Sequence, residues 1–245
     1  MPPTMPTTDW QYKGKIALTD QHPDTKAFLT FTFTTQMIAW PLTKLGPAGS
    51  GPNNKAAWWP YFQERHKIGG LYWVQGHLLN HNIHGPGVPD NLVPICNTTN
   101  TNMEAIIERF AKKLVDQGEV VYYEVNAHFE GAKAVKWSPG MYQTVPGQQL
   151  KAVYDQDQAL KINTPLEILA HPWAVRNTCG LLNSASNPGS LLWGEQFAPT
   201  RLSWRLMKSK NWATAPDWSL NNHAFEEVAN SNHISPEQWY NTFPS

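Results

Sequence analysis

Residues 101–117 carry a helical repeat with no proline or glycine inside it, and this stretch constrains its surroundings more than any other. Met103, Ile106, Ile107, Phe110 and Leu114 recur at helical spacing, so one face is apolar. Thr101 and Glu104 have the spacing of a capping box, and Gly118 is placed to end the helix. Residues 119–129 (EVVYYEVNAHF) follow as a strand, and residues 71–79 precede as another. Between the first strand and the helix lies the Asn-, His- and Gly-rich run 80–90. The middle of the chain therefore reads strand, long loop, helix, strand. Residues 27–40 alternate Leu29, Phe31 and Phe33 with Thr30, Thr32 and Thr34, the pattern of a half-buried strand. Residues 41–55 are a loop by composition.

The second half is less regular. Short elements are expected at 150–154 and 165–170, and 203–209 fits either helix or strand. Glu226 and Glu227 fall in an expected short helix, and Ser235-Pro236-Glu237 resembles a helix start. With twenty prolines and sixteen glycines the chain cannot be a long helical bundle. The class is α+β. One elaborated domain is expected over 1–245, with a core at 68–130 and a mixed extension of unknown role at 140–245.

Charge and apolar content bound the function. Nineteen basic residues balance nineteen acidic ones, which excludes a simple polybasic binder but leaves room for a local basic patch. Hydrophobic residues make up 41% of the chain and include twelve tryptophans, enough for a core. No run approaches the length of a membrane-crossing helix, so no membrane partner is expected. The first ten residues lack the apolar run of a signal peptide. The expectation is a cytoplasmic protein, or one exported by a dedicated apparatus. Cys96 and Cys179 read as two reduced, partly buried thiols.

The densest polar cluster is Gly76-His77-Leu78-Leu79-Asn80-His81-Asn82-Ile83-His84, followed by Gly85-Pro86-Gly87 and then Asn91-Leu92-Val93-Pro94. Asn100 lies at the expected helix start, and Glu108 two turns into the helix. A histidine at a strand end can face such a helix. Phosphodiester hydrolysis needs a base of near-neutral pKa to take a proton from water, which a neutral histidine supplies. It also needs a cation to balance charge on the phosphoryl and leaving oxygens. Mg²⁺, or Mn²⁺ in its place, is satisfied by one amide oxygen plus waters. A carboxylate such as Glu108 can orient a metal-bound water without touching the metal.

At these residues the chain resembles the DNA/RNA non-specific endonucleases of the ββα-metal, or His-Me finger, superfamily. Their hallmark is a strand ending Asp-Arg-Gly-His, then Asn-x-x-Pro-Gln, then an Asn nine residues after the first Asn and a Glu eight beyond. Gly76-His77, Asn91 to Pro94, Asn100 and Glu108 match those positions. The segments 76–80, 85–87, 91–94 and 121–125 are closer still to a bacterial toxin branch of the group. The resemblance covers residues 68–130 and implies a ββα-metal core. It implies that His77 is the general base, Asn100 the metal ligand and Glu108 a water-orienting carboxylate, with Asn91 and Asn80 supporting the site. Val74 and Gln75 replace the hallmark Asp and Arg, and Ile95 replaces its Gln. A phosphate contact is thereby lost, and Arg65 and Lys67 just upstream are candidates to replace it, with Gln75 as a further substrate contact. The implied function is a secreted toxin or effector nuclease acting on DNA, RNA or both, with an immunity protein as its inhibitor.

Other readings stay open from the sequence. Asn100 could equally cap the helix, and Glu108 could be a solvated helix residue. His77, His81 and His84 have spacings that suit zinc, which would make a zinc-dependent hydrolase. The Val74-Gln75 replacement fits a non-catalytic binding protein on a degenerate nuclease scaffold. On a helix, Arg201, Arg205 and Lys208 would share a face beside Trp204 and could contact phosphates.

Overall fold

The Phe–Thr alternation forms a strand. In the computed structural model, which describes residues 4–22, 24–52, 56–63, 73–129, 173–176, 194–199, 201–215 and 217–228, this is β2, Phe28–Leu42. Phe31, Phe33, Met37, Ala39 and Leu42 are buried in the main core, while Thr30 and Thr32 stay exposed. β1, Trp10–Gln21, pairs antiparallel with β2 along nearly its whole length. The sequence reading had no strand here. Trp10, Tyr12, Ile16 and Leu18 keep the two-residue period, but Gly14, at φ +66°, interrupts the pattern.

Four more strands complete a six-stranded sheet: β5 (Val121–His128), β6 (Trp173–Arg176), β7 (Arg201–Ser209) and β8 (Phe225–Glu227). Its order is β1-β2-β5-β7-β6, with β8 also on β7, and every pairing is antiparallel. A separate antiparallel pair joins β3 (Trp73–His77) to β4 (Leu92–Cys96). A short helix α1, Trp59–Gln63, precedes that pair. After β4 the chain turns directly into α2 (Asn97–Met103), a π-helical turn (Glu104–Glu108) and α3 (Arg109–Asp116).

One apolar core holds these layers together. Val121, Tyr123 and Val125 of β5 and Leu202, Trp204 and Leu206 of β7 share it with Met103, Ile107, Ala111 and Val115 of the helix. Trp73, Leu78 and Leu79 close it from the β3 side. The opposite face of the sheet carries a smaller apolar group of Ile38, Tyr122 and Met207, with Trp40 and Phe225 against it. The fold is mixed and rich in antiparallel strands, with few and short helices among the described residues, which is compatible with the α+β class. Among the described residues no helix is long and apolar enough to cross a membrane.

Several expectations change. β4 was not foreseen because Pro94 sits in its middle. Proline is tolerated there because, among the described residues, β4 pairs only with β3, so its other edge has no ladder for Pro94 to break. The helix starts at Asn97, not 101, and Cys96 at its N-cap makes no side-chain capping bond. The Thr101–Glu104 capping box is therefore absent. The Thr101 hydroxyl donates instead to the Asn97 carbonyl, 3.1 Å away, inside the helix. Gly118 does end it, in the left-handed conformation at φ +83°. The stretch around Arg205 is strand β7, so the basic helical face does not exist. Glu226 and Glu227 lie in β8, not in a helix. Cys96 is a buried, reduced thiol, and Cys179 lies outside the described residues, as do the expected elements at 150–154, 165–170 and 235–237.

Phe33 is the point where β2, Trp58 and Phe129 meet, with ring centroids 5.9 and 5.2 Å from its own. Replacing it by alanine is expected to cost about 3–5 kcal/mol, read as a shift in the chemical denaturation midpoint. A loss under about 1 kcal/mol would contradict this packing.

Candidate active site

The candidate site is built on the loop that joins β3 to β4. Its ends are tied where the Leu78 N–H donates to the Asn91 carbonyl at 2.8 Å. The Asn91 side chain, fully buried, does the rest. Its oxygen accepts from the Leu79 N–H at 2.9 Å, and its amide nitrogen donates to the carbonyls of Leu79 and Pro86, both at 2.9 Å. Asn91 thus has no group left for a reacting molecule and acts by holding the loop.

Asn80 organises the first half of the same loop. Its side-chain oxygen caps the short 3-10 turn His81–Ile83 by accepting from the Asn82 N–H at 2.8 Å. Its amide nitrogen donates to the Glu108 carboxylate at 2.6 Å. One asparagine therefore couples the loop to the π-helical turn. Such turns project side chains that a regular helix would direct elsewhere, and they recur at functional sites.

A second segment, residues 43–52, crosses this loop at very short range. A Cβ on Gly49 would lie 1.9 Å from the His81 carbonyl oxygen, and one on Gly87 would lie 1.7 Å from that of Gly51. Only glycine permits these approaches. Ser50 makes three bonds across the crossing. Its N–H donates to the Gly85 carbonyl at 3.1 Å, and its hydroxyl accepts from the Gly87 N–H at 2.7 Å. Its carbonyl lies 2.9 Å from His77 Nε2.

That last contact sets the chemistry of His77. A carbonyl oxygen can only accept, so Nε2 carries the proton and donates. Nδ1 is then left as the basic nitrogen, with no hydrogen bond among the described residues. The ring is buried. Burial lowers its pKa below the ordinary 6.5, the His81 ring nearby adds to the lowering, and the Ser50 carbonyl opposes it. His77 is thus a neutral imidazole at neutral pH, with a defined tautomer.

Glu108 is also buried, and burial raises its pKa from 4.5 to about 7, against the hydrogen bond from Asn80 and aided by the nearby Glu104. It is not a solvated helix residue. Asn100 lies in the first turn of α2, within the helix rather than at its cap position, so the capping alternative falls. Its half-buried side chain makes no hydrogen bond among the described residues. Along a helix axis, eight residues span roughly 12 Å, so Asn100 and Glu108 do not bind one ion together. The donors on offer here are oxygens, the Asn100 amide oxygen and the second Glu108 carboxylate oxygen, which suit a hard divalent ion rather than a soft one.

Other expected site residues are dispersed. Gln75 is buried on β3 two residues before His77. Arg65 and Lys67 lie outside the described residues. Arg201 pairs with His128 in the sheet, and its side chain is not described. Arg205 alternates with the buried Trp204 and Leu206, so it projects from the sheet face opposite the main core. The three-histidine zinc reading is corrected. His84 turns its two ring nitrogens to the Pro47 and Thr43 carbonyls, at 2.8 and 3.0 Å, and among the described residues no group of three His, Cys, Asp or Glu could hold a metal ion. The role of residues 43–52 had no sequence signal beyond Gly46, Gly49 and Gly51 in a stretch read only as loop.

Glu108 yields a pH-dependent stability. Its folded pKa is raised, so the neutral form is favoured by folding below 4.5, and that advantage is lost as pH rises from 4.5 through about 7. The loss is on the order of 3 kcal/mol. Glu108→Gln mimics the neutral form. Its melting temperature is expected to exceed the wild type's at pH 8 and to match it below pH 4.5. A variant less stable than wild type at pH 8 would show that the ionised carboxylate is stabilising.

Comparison with protein-family models and with curated proteins finds no match for this chain.

Proposed function

We propose that this chain is a metal-dependent endonuclease that hydrolyses phosphodiester bonds of DNA, RNA or both with little sequence preference. One observation carries the reading. His77 is a buried imidazole whose Nε2–H is spent on the Ser50 carbonyl, so its Nδ1 is available to take a proton at neutral pH. The resemblance of His77, Asn91, Asn100 and Glu108 to the ββα-metal spacing supports the same reading. So does the β3–β4 pair followed at once by α2, the order a ββα-metal core requires.

In this reading Asn100 would hold Mg²⁺ or Mn²⁺ by its amide oxygen, and the ion would supply positive charge at the phosphoryl group. His77 removes the proton of the attacking water at Nδ1. The Ser50 carbonyl keeps the ring in the tautomer that can do so. Glu108 fixes Asn80, and through it the loop that carries the base. Gln75 and Asn80 lie on the β3 side of the site and are the nearest candidates for contacts to substrate. Zero net charge predicts weak long-range steering of nucleic acid, so affinity depends on local contacts. The toxin-branch resemblance proposes delivery as an effector and an inhibitory partner protein in the producing cell.

The test is plasmid nicking and RNA cleavage with Mg²⁺, with Mn²⁺ and with EDTA. Cutting with metal and none with EDTA is expected. His77→Ala is expected to lower the rate at least about 100-fold with little change in the thermal melt. His77→Gln, which keeps a donor toward Ser50, separates a lost base from a disturbed fold. If the wild type leaves DNA and RNA intact in every metal, the nuclease reading fails and a binding protein on the same scaffold takes its place.

A further inference from the structure

The reading above uses the histidine that ends β3, yet a second, in the loop that follows, stands beside it. The His81 ring centroid lies 5.7 Å from that of His77, with the planes tilted by 50°. The two rings differ in setting. His77 is buried, whereas His81 is exposed. The His81 backbone is fixed in place. Gly49 packs within van der Waals reach of its carbonyl, Asn80 caps its turn, and the Asn80 carbonyl accepts from the N–H groups of Ile83 and Gly85 at 3.0 and 2.9 Å. The turn is in turn anchored to Glu108 through the Asn80 amide. A mobile surface histidine would have none of these ties.

We infer that His77 and His81 form an acid–base pair that cleaves single-stranded RNA through its own 2′-hydroxyl, without metal. The inference rests on the reading of His77 as a proton acceptor but not on the metal. Two imidazoles side by side reach the two ends of one phosphodiester when each lies within hydrogen-bond range, roughly 2.6–3.2 Å, of its oxygen. His77 Nδ1 takes the proton of the 2′-hydroxyl. The 2′-oxygen bonds to the adjacent phosphorus, the bond from phosphorus to the 5′-oxygen breaks, and its electron pair leaves on that oxygen. The 5′-oxygen takes a proton from the His81 ring, which acts as the general acid. The products are a 2′,3′-cyclic phosphate and a 5′-hydroxyl. Nothing is oxidised, no water is consumed, and the solvent restores both rings. The internal nucleophile is already positioned by the substrate, which offsets the missing phosphate-binding arginine at Gln75.

The experiment uses the full chain with a single-stranded RNA, the same sequence as DNA, and the RNA carrying 2′-O-methyl groups, each in EDTA and in Mg²⁺. RNA is expected to be cut in EDTA to 2′,3′-cyclic phosphate ends, with the DNA and the 2′-O-methyl strand intact under that condition. His81→Ala and His77→Ala should each slow this cutting at least about 100-fold. Because His81 is exposed, its variants should melt like the wild type, and His81→Gln serves as a second check. Intact RNA in EDTA, 3′-hydroxyl ends from that reaction, or wild-type rates in both His81 variants would each overturn the inference. The two readings separate cleanly. DNA cut only with Mg²⁺ and RNA intact in EDTA sinks this inference alone. RNA cut in EDTA, with DNA intact in every metal and RNA cut no faster with metal than without, supports it and sinks the metal-dependent one.

Discussion

The candidate site depends on one buried amide. Asn91 makes three hydrogen bonds from a side chain with no solvent contact, and all three go to the backbone of the loop between β3 and β4. A backbone that leaves a sheet must find partners for its N–H and C=O groups. Here a side chain provides them, so the loop keeps one shape without a helix or strand of its own. His77, Asn80, His81 and His84 inherit their positions from that shape. The glycine crossing by residues 43–52 then sits on a surface already fixed, and this lets a single carbonyl, that of Ser50, select the tautomer of His77.

Burial has opposite effects on the pKa values of the two titratable groups of the site and the same effect on their charge. It lowers the pKa of His77 and raises that of Glu108, so both favour the neutral form. The buried Glu108 is kept because Asn80 satisfies one of its oxygens at 2.6 Å, and the cost of its burial remains as the pH dependence of stability. The balanced net charge of the chain agrees with a site that works by local contacts, not by a wide positive field.

The sequence disclosed this site unevenly. Phe31 and Phe33 marked β2, and the apolar face of Met103 and Ile107 marked the helix, because periodicity reports burial directly. Asn80 and Glu108, joined here by a hydrogen bond, were both among the residues that the resemblance singled out. Asn91 was legible as a site residue but not as a loop clamp, since its three bonds depend on how the loop closes. β4 was hidden by Pro94, and the true helix start by Asn97-Thr98-Thr99, which are poor helix formers that tertiary packing overrides. Ser50 was invisible. It acts through its backbone, which no residue type advertises, and across a long stretch of chain. The stretch around Arg205 stayed open between helix and strand because Leu202, Trp204 and Leu206 at period two also fit a loose helical pattern, and it is strand β7.

The central claim is that Ser50 holds His77 in the Nε2–H tautomer, with Nδ1 basic and the ring neutral at neutral pH. Nitrogen-15 NMR of the histidine side chains tests it without reference to any substrate. The account predicts a protonated Nε2 and an unprotonated Nδ1 for His77 at pH 7, with a titration midpoint below 6.5. Conversion of Ser50 to proline would remove the N–H bond to Gly85 as a control on the crossing. An Nδ1–H tautomer, or a His77 ring that titrates at or above 6.5, would contradict the account.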